Sequence, residues 1–126
     1  MQLGIFLKIH AVIALLFAIG FIFMPATILA YYTTVPVNEV GSYMSQLFGS
    51  ALITYAAILW LASGATESHA RKAIVQGFFI SMVVAVIITL HFQLTGPINS
   101  LGWSTVALYI FLAVMYGRFY FAESFL

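Results

Sequence analysis

The sequence predicts an all-α membrane protein, a transmembrane four-helix bundle, and two observations lead to this prediction. First, 64% of the 126 residues are hydrophobic and only 6% are charged, a composition outside the range of soluble globular domains. Second, residues 9–38, 40–66 and 73–117 contain no Asp, Glu, Lys or Arg. A membrane-spanning helix needs about 20 mainly apolar residues. The first two stretches therefore hold one span each, and the third is long enough for two.

The spans can be placed from these stretches and from the residues that break them. We expect a single transmembrane domain of residues 1–126, with spans at residues 4–31, 43–63, 73–94 and 101–120. Pro25 removes a backbone hydrogen bond from the first span and is expected to bend it. The third and fourth spans are divided at Gly96 and Pro97, because glycine favours a turn and proline cannot continue the preceding helix.

The few cationic side chains predict the orientation. In this arrangement all of them flank the spans on one side: Lys8, Arg71, Lys72 and Arg118. Lys and Arg in short flanking segments resist translocation across the membrane. We therefore expect a multi-pass membrane protein with both the N- and C-termini in the cytoplasm.

Small residues on the third span predict how the helices pack. Helices in lipid associate through close packing and interhelical hydrogen bonds, and their contact surfaces are rich in small side chains. The third span has small residues at an unbroken spacing of four: Ala73, Gly77, Ser81, Ala85 and Thr89. We interpret this small-residue row as a packing surface and the third span as the central helix of the bundle.

A row of polar side chains lies on the second span, at Gln46, Ser50 and Thr54. Polar groups are unfavourable against lipid, so the row is expected to face protein. One interpretation is a polar groove for a solute or a lipid headgroup. The other is interhelical hydrogen bonding, worth about 0.6 kcal/mol per contact. We favour hydrogen bonding, because no charged residue joins the row.

Two histidines, His10 and His91, are the candidate cofactor ligands. A single histidine on a membrane helix can ligate a haem or another pigment. In the expected topology the two residues lie near opposite membrane faces, on the order of 20 Å apart in depth, so they cannot ligate one iron together. The alternative is that each is an interfacial side chain without a cofactor. His69 is expected in a solvated connection between spans.

Several classes of function are excluded or disfavoured by the composition. The chain has no Cys, which excludes disulfides, iron–sulfur clusters and zinc-thiolate sites. A net charge of +1 provides no basic surface for nucleic acid. No pair of carboxylates lies in a span and no known catalytic motif is present, so we predict neither catalytic residues nor a metal site.

Several short segments resemble a family of small bacterial four-helix membrane proteins of unknown function. They are Ile9-His10-Ala11, Met24-Pro25-Ala26-Thr27, Leu47-Phe48-Gly49-Ser50-Ala51, Ala70-Arg71-Lys72-Ala73 and Asn99-Ser100-Leu101-Gly102-Trp103. In size and layout the chain is also distantly similar to the DoxX-like proteins. The resemblance implies an inner-membrane protein of bacteria and supplies no catalytic residue.

Three functions remain open from the sequence. The first is a non-catalytic membrane subunit or accessory protein that packs against other membrane-protein subunits or against its own copies in the bilayer. The second is a small-solute channel or carrier that uses the polar row of Gln46, Ser50 and Thr54. The third is a pigment- or haem-binding protein that uses His10 or His91. An enzyme is the least favoured class, because only His and Tyr are available for proton transfer.

Overall fold

The protein is all-helical. The computed structural model describes the backbone of residues 1–125 and the side chains of residues 1–122. Its helices are α1 (Leu3–Phe23), α2 (Pro25–Ala30), α3 (Glu39–Ser63), α4 (His69–Thr95) and α5 (Gly102–Phe125), and the described backbone contains no strand. All except α2 are long and apolar enough to cross a membrane. The predicted all-α fold class is confirmed, and four such helices indicate a multi-pass membrane protein compatible with the predicted bundle.

The helices pair into two antiparallel hairpins. The first hairpin comprises Met1–Ala65, where α1 packs against α3, and the second begins at Thr66, where α4 packs against α5. Two of the helices begin at a side-chain cap. Asn38 Oδ1 accepts a hydrogen bond from the backbone N–H of Gly41 (2.7 Å), and Ser68 Oγ accepts one from that of Arg71 (3.2 Å).

The first span ends earlier than the predicted residues 4–31. The α1 helix stops at Phe23, Met24 has non-helical dihedral angles (φ −139°, ψ 53°), and α2 starts at Pro25. Proline has no N–H for the carbonyl of the preceding turn but is well suited to the first position of a new helix. Pro25 therefore coincides with a break where we expected a bend. The 21 residues of α1 rise about 31 Å, close to the thickness of the hydrocarbon core.

The other long helices begin or end within a few residues of the predicted spans. The α3 and α4 helices each start four residues before the expected positions 43 and 73, because Asn38 and Ser68 cap them in the polar segments. The α4 helix ends at Thr95, next to the predicted turn, and the backbone N–H of Gly96 donates to the carbonyl of Phe92 (2.8 Å).

The first hairpin packs through small residues. Ala14 and Ala18 of α1 form a buried cluster with Leu52 and Ala56 of α3. A Cβ atom on Gly49 would lie 2.8 Å from Ile22 Cγ1 and 3.1 Å from the Ala18 carbonyl oxygen. The two helices therefore approach closely here, as small side chains allow in membrane helices.

The second hairpin packs through aromatic rings. The Phe78 ring stacks on the Tyr116 ring, with centroids 5.4 Å apart, and the Phe79 ring stacks on the Tyr120 ring at 6.4 Å. Tyr116 is fully buried, at 0% exposure. A Cβ atom on Gly117 would lie 2.9 Å from Phe79 Cε1, so this glycine makes room for the Phe79 ring.

Candidate functional site

Gln46 joins the two helices of the first hairpin. Its Nε2 donates a hydrogen bond of 3.0 Å to the backbone carbonyl of Ile22. Ile22 lies in the last turn of α1, next to the break at Met24, where carbonyl oxygens lack the helical N–H that would follow in an unbroken helix. The Gln46 amide thus supplies a donor where the helix has lost one, and it makes an interhelical hydrogen bond of the kind that we favoured for the polar row.

Ser50 and Thr54, the other two residues of the polar row, do not contact α1 through a hydrogen bond. Both are exposed, and within the described side chains neither makes a hydrogen bond. A step of four residues turns about 40° around an α-helix, because 3.6 residues complete one turn. The polar row therefore winds away from α1 as it proceeds from Gln46 to Thr54. These two hydroxyls lie near the middle of α3 on a surface that this chain leaves open.

Replacing Gln46 by leucine tests its hydrogen bond. Gln46→Leu removes the amide and leaves the Ile22 carbonyl without this donor, so we expect the unfolding free energy in detergent to fall by about 0.5–1 kcal/mol. Ser50→Ala, on the same helix, should change it by less than about 0.3 kcal/mol, because Ser50 has no partner in the described structure. Chemical denaturation followed by circular dichroism measures both values, and equal losses would contradict the role of Gln46.

The small-residue row of α4 winds in the same way. Its first members, Ala73 and Gly77, are exposed, whereas the later members Ser81, Ala85 and Thr89 are half-buried. Over five positions a spacing of four turns the row by about 160°. Its N-terminal end therefore faces away from the buried residues of α4, which are Val75 and Met82, and its C-terminal end approaches their side.

Gly77 differs from the other glycines in the interiors of long helices. The space that a Cβ atom would occupy on Gly49 or Gly117 is already taken by a neighbouring helix of the same hairpin. At Gly77, apart from its sequence neighbours and the adjacent backbone of α4, no described atom lies within 4 Å of the corresponding position. Among the described residues of the second hairpin, none fills the room that Gly77 provides.

The two histidines lie in different hairpins. His10 is on the buried face of α1 and is 4% exposed, whereas His91 is exposed on α4 and contacts the Phe92 ring edge-on at 5.3 Å. The described side chains contain no group of three or more His, Cys, Asp or Glu placed to hold a metal ion. The proposed role of either histidine as a single axial ligand stays a prediction.

Each hairpin also contains a lysine placed over an aromatic ring. Lys8 Nζ of α1 lies 5.5 Å from the centroid of the Trp60 ring of α3. Lys72 Nζ of α4 lies 5.8 Å from the centroid of the Tyr120 ring of α5. Both distances are within the range of cation–π attraction. These pairs could not be predicted from the sequence, because they depend on the antiparallel register of the two helices. The available signal was a lysine near the start of one span and an aromatic residue near the end of the next.

Arg71, beside Lys72, has an unsatisfied donor. Its side chain is half-buried, and its Nε atom is buried without a hydrogen-bond acceptor among the described groups. Buried polar groups are nearly always hydrogen-bonded, and an unsatisfied donor on a charged group is unfavourable. An acceptor from outside the described groups could reach this donor only if the half-buried side chain moves.

No protein-family model, curated protein or solved structure matches the chain. The resemblance to small bacterial four-helix membrane proteins and to DoxX-like proteins thus stays a prediction. The candidate surfaces are accordingly defined by this chain's own residues: the exposed hydroxyls of α3, the open glycine of α4 and the cationic start of α4.

Proposed function

We propose that this protein is a non-catalytic subunit or accessory protein of the bacterial inner membrane, which packs against other membrane helices in a larger complex or a homo-oligomer. The observation that carries the proposal is the open face at Gly77. Both termini are assigned to the cytoplasm in this proposal, because all four cations flank the spans on the side of the chain ends.

The argument from Gly77 is energetic. Glycine within a helix is less stable than alanine by roughly 0.5–1 kcal/mol, so a glycine there is retained where a close approach needs it. Gly49 and Gly117 meet that condition inside their hairpins, and Gly77 does not. Together with Ala73, four residues earlier and also exposed, Gly77 forms the small-xxx-small pattern along which membrane helices associate.

The alternatives receive less support from the described residues. In a solute path along α3, the amide of Gln46 would already be engaged with the Ile22 carbonyl, which leaves only the hydroxyls of Ser50 and Thr54. His10 is the one histidine of the first hairpin. In the second, His69 is the first residue of α4 and does not lie in the connection where we expected it; it is about 33 Å along the helix axis from His91, so a haem or pigment would have one histidine ligand in either hairpin. Both alternatives assume a ligand, whereas a partner helix accounts for the open glycine directly.

Gly77→Leu tests the proposal. A leucine side chain would fill the space into which a partner helix fits, so we expect the fraction of protein in an assembly to fall at least about tenfold, equivalent to about 1.4 kcal/mol. The chain should still fold, because no described side chain or neighbouring helix lies within 4 Å of the new Cβ atom. Native mass spectrometry after extraction in a mild detergent measures the assembled fraction.

The matched control is Ala107→Leu, which enlarges an exposed small residue on α5. It should leave the assembled fraction within about twofold, because it lies outside the α4 row. A folded wild-type protein that remains monomeric in mild detergent would reject the proposal, and so would equal effects of the two substitutions.

A further inference from the structure

We propose that the start of α4, where Arg71 and Lys72 lie beside the Tyr120 ring of α5, is a binding site for the phosphate of an anionic phospholipid. The three residues belong to the second hairpin, and the site requires only that α4 and α5 cross the membrane. It is therefore independent of whether the protein is a subunit of a larger assembly.

The length of α4 places these residues at the level of the lipid headgroups. Its 27 residues rise about 40 Å, whereas the hydrocarbon core is about 30 Å thick. Charged side chains are strongly disfavoured among acyl chains, so we assign this surplus length to the first turn of α4, which carries Arg71 and Lys72. Tyrosine is enriched at the same depth, where its ring contacts both lipid and headgroups, and Tyr120 lies in the last turns of the partner helix α5.

Arg71 supplies the strongest evidence for a ligand. Its Nε donor is buried and has no acceptor among the described groups. The guanidinium offers a planar set of donors that fits two phosphate oxygens at once. Nε itself is enclosed, so a rotation of the half-buried side chain is needed for a phosphodiester oxygen to reach it, satisfy this donor and neutralise the charge.

Lys72 adds a second charge in a defined position. Its Nζ lies 5.8 Å from the Tyr120 ring centroid, and that ring is stacked on Phe79, with an interplanar angle of 16°. The ammonium is therefore held at the face of an anchored ring, next in sequence to Arg71. Ser68 already accepts from the Arg71 backbone N–H, and the N-terminal end of the α4 dipole adds partial positive charge on the same side.

The test compares lipid retention by variants of the full chain. The protein is purified in a neutral detergent, and native mass spectrometry counts bound phosphatidylglycerol and phosphatidylcholine. We expect the wild type to retain phosphatidylglycerol in preference, and Arg71→Gln to reduce that retention about tenfold, because its charge and the Nε donor are lost. Lys8→Gln is the matched control. It removes one charge from a second lysine that lies over an aromatic ring, at a position with no adjacent arginine. It should change phosphatidylglycerol retention by less than about twofold.

Several outcomes would contradict the proposed phosphate-binding site. Equal losses in Arg71→Gln and Lys8→Gln would mean general attraction between cations and anionic lipid. Retention of both lipids to the same extent would remove the preference for an anionic headgroup. A second titration uses inorganic phosphate alone, and tight binding that depends on Arg71 would make free phosphate the ligand. Should Arg71→Gln fail to fold by circular dichroism, Arg71→Lys replaces it; it keeps the charge without the planar donors, so unchanged retention would reject the assigned role of Nε.

Discussion

Replacing Gly49 by leucine is expected to separate α1 from α3 and to destabilise the first hairpin by about 3 kcal/mol, the upper end of what overpacking usually costs. The first added atom alone would lie 2.8 Å from Ile22 Cγ1 and 3.1 Å from the carbonyl oxygen of Ala18. The Ile22 side chain can change its rotamer, but the Ala18 oxygen belongs to the helix backbone. Relief of the contact therefore requires α1 to move, which would also weaken the Ala14, Ala18, Leu52 and Ala56 cluster.

Unfolding in detergent micelles, followed by circular dichroism during denaturant titration, measures this loss. Ala51→Leu is the control on the same helix, because Ala51 is exposed two residues away and a larger side chain there meets no buried neighbour. We expect its effect to stay within about 0.5 kcal/mol. Similar stabilities for the two variants would show that α1 and α3 are not in close contact at Gly49.

Tyr116→Ala is expected to have the largest effect in the second hairpin. Tyr116 has 0% exposure and stacks on Phe78 at a centroid distance of 5.4 Å. An unfolded helix in a membrane remains in an apolar solvent, so the loss comes mainly from the packing contacts and the cavity, and only to a small extent from transfer to water. Truncating a buried aromatic side chain typically costs about 3–5 kcal/mol in soluble proteins, and we expect about 2–4 kcal/mol here.

Two control variants in the same denaturation experiment test the role of the buried ring. Tyr116→Phe retains the ring and should keep more than half of the stability that Tyr116→Ala loses, because the stacking on Phe78 remains. Ile110→Ala removes apolar atoms from a residue of the same helix that is 45% exposed, and should cost less than about 1 kcal/mol. A Tyr116→Ala protein as stable as Ile110→Ala would contradict the burial of this ring.

The number and order of the spans could be predicted, because an uncharged stretch of sufficient length has few other stable states. The helix break at Met24 was harder to predict from the sequence. Pro25 identified the position, but a proline is compatible with either a bend or a break. The Ile22 carbonyl beside the break accepts a hydrogen bond from Gln46, which is 24 residues away along the chain, and the sequence does not reveal so distant a pairing.

The packing faces were harder to predict than the spans. In a soluble helix the apolar side marks the core, but α4 is apolar on almost every side and hydropathy does not separate lipid from protein. The predicted row from Ala73 to Thr89 winds from the exposed surface toward the buried side, and the buried residues of α4 are Val75 and Met82. In α1, by contrast, the alanines at positions 14 and 18 do mark the contact with α3.

The long helices of each half of the chain pack against each other, α1 on α3 and α4 on α5. Contacts between helices that are neighbours in sequence form readily, because little chain has to be ordered to bring them together. The segment Met1–Ala65 can therefore complete its packing while the ribosome is still adding the remainder, as units generally form in order of synthesis. The insertion machinery would then deliver the protein into the bilayer as two successive pairs of helices.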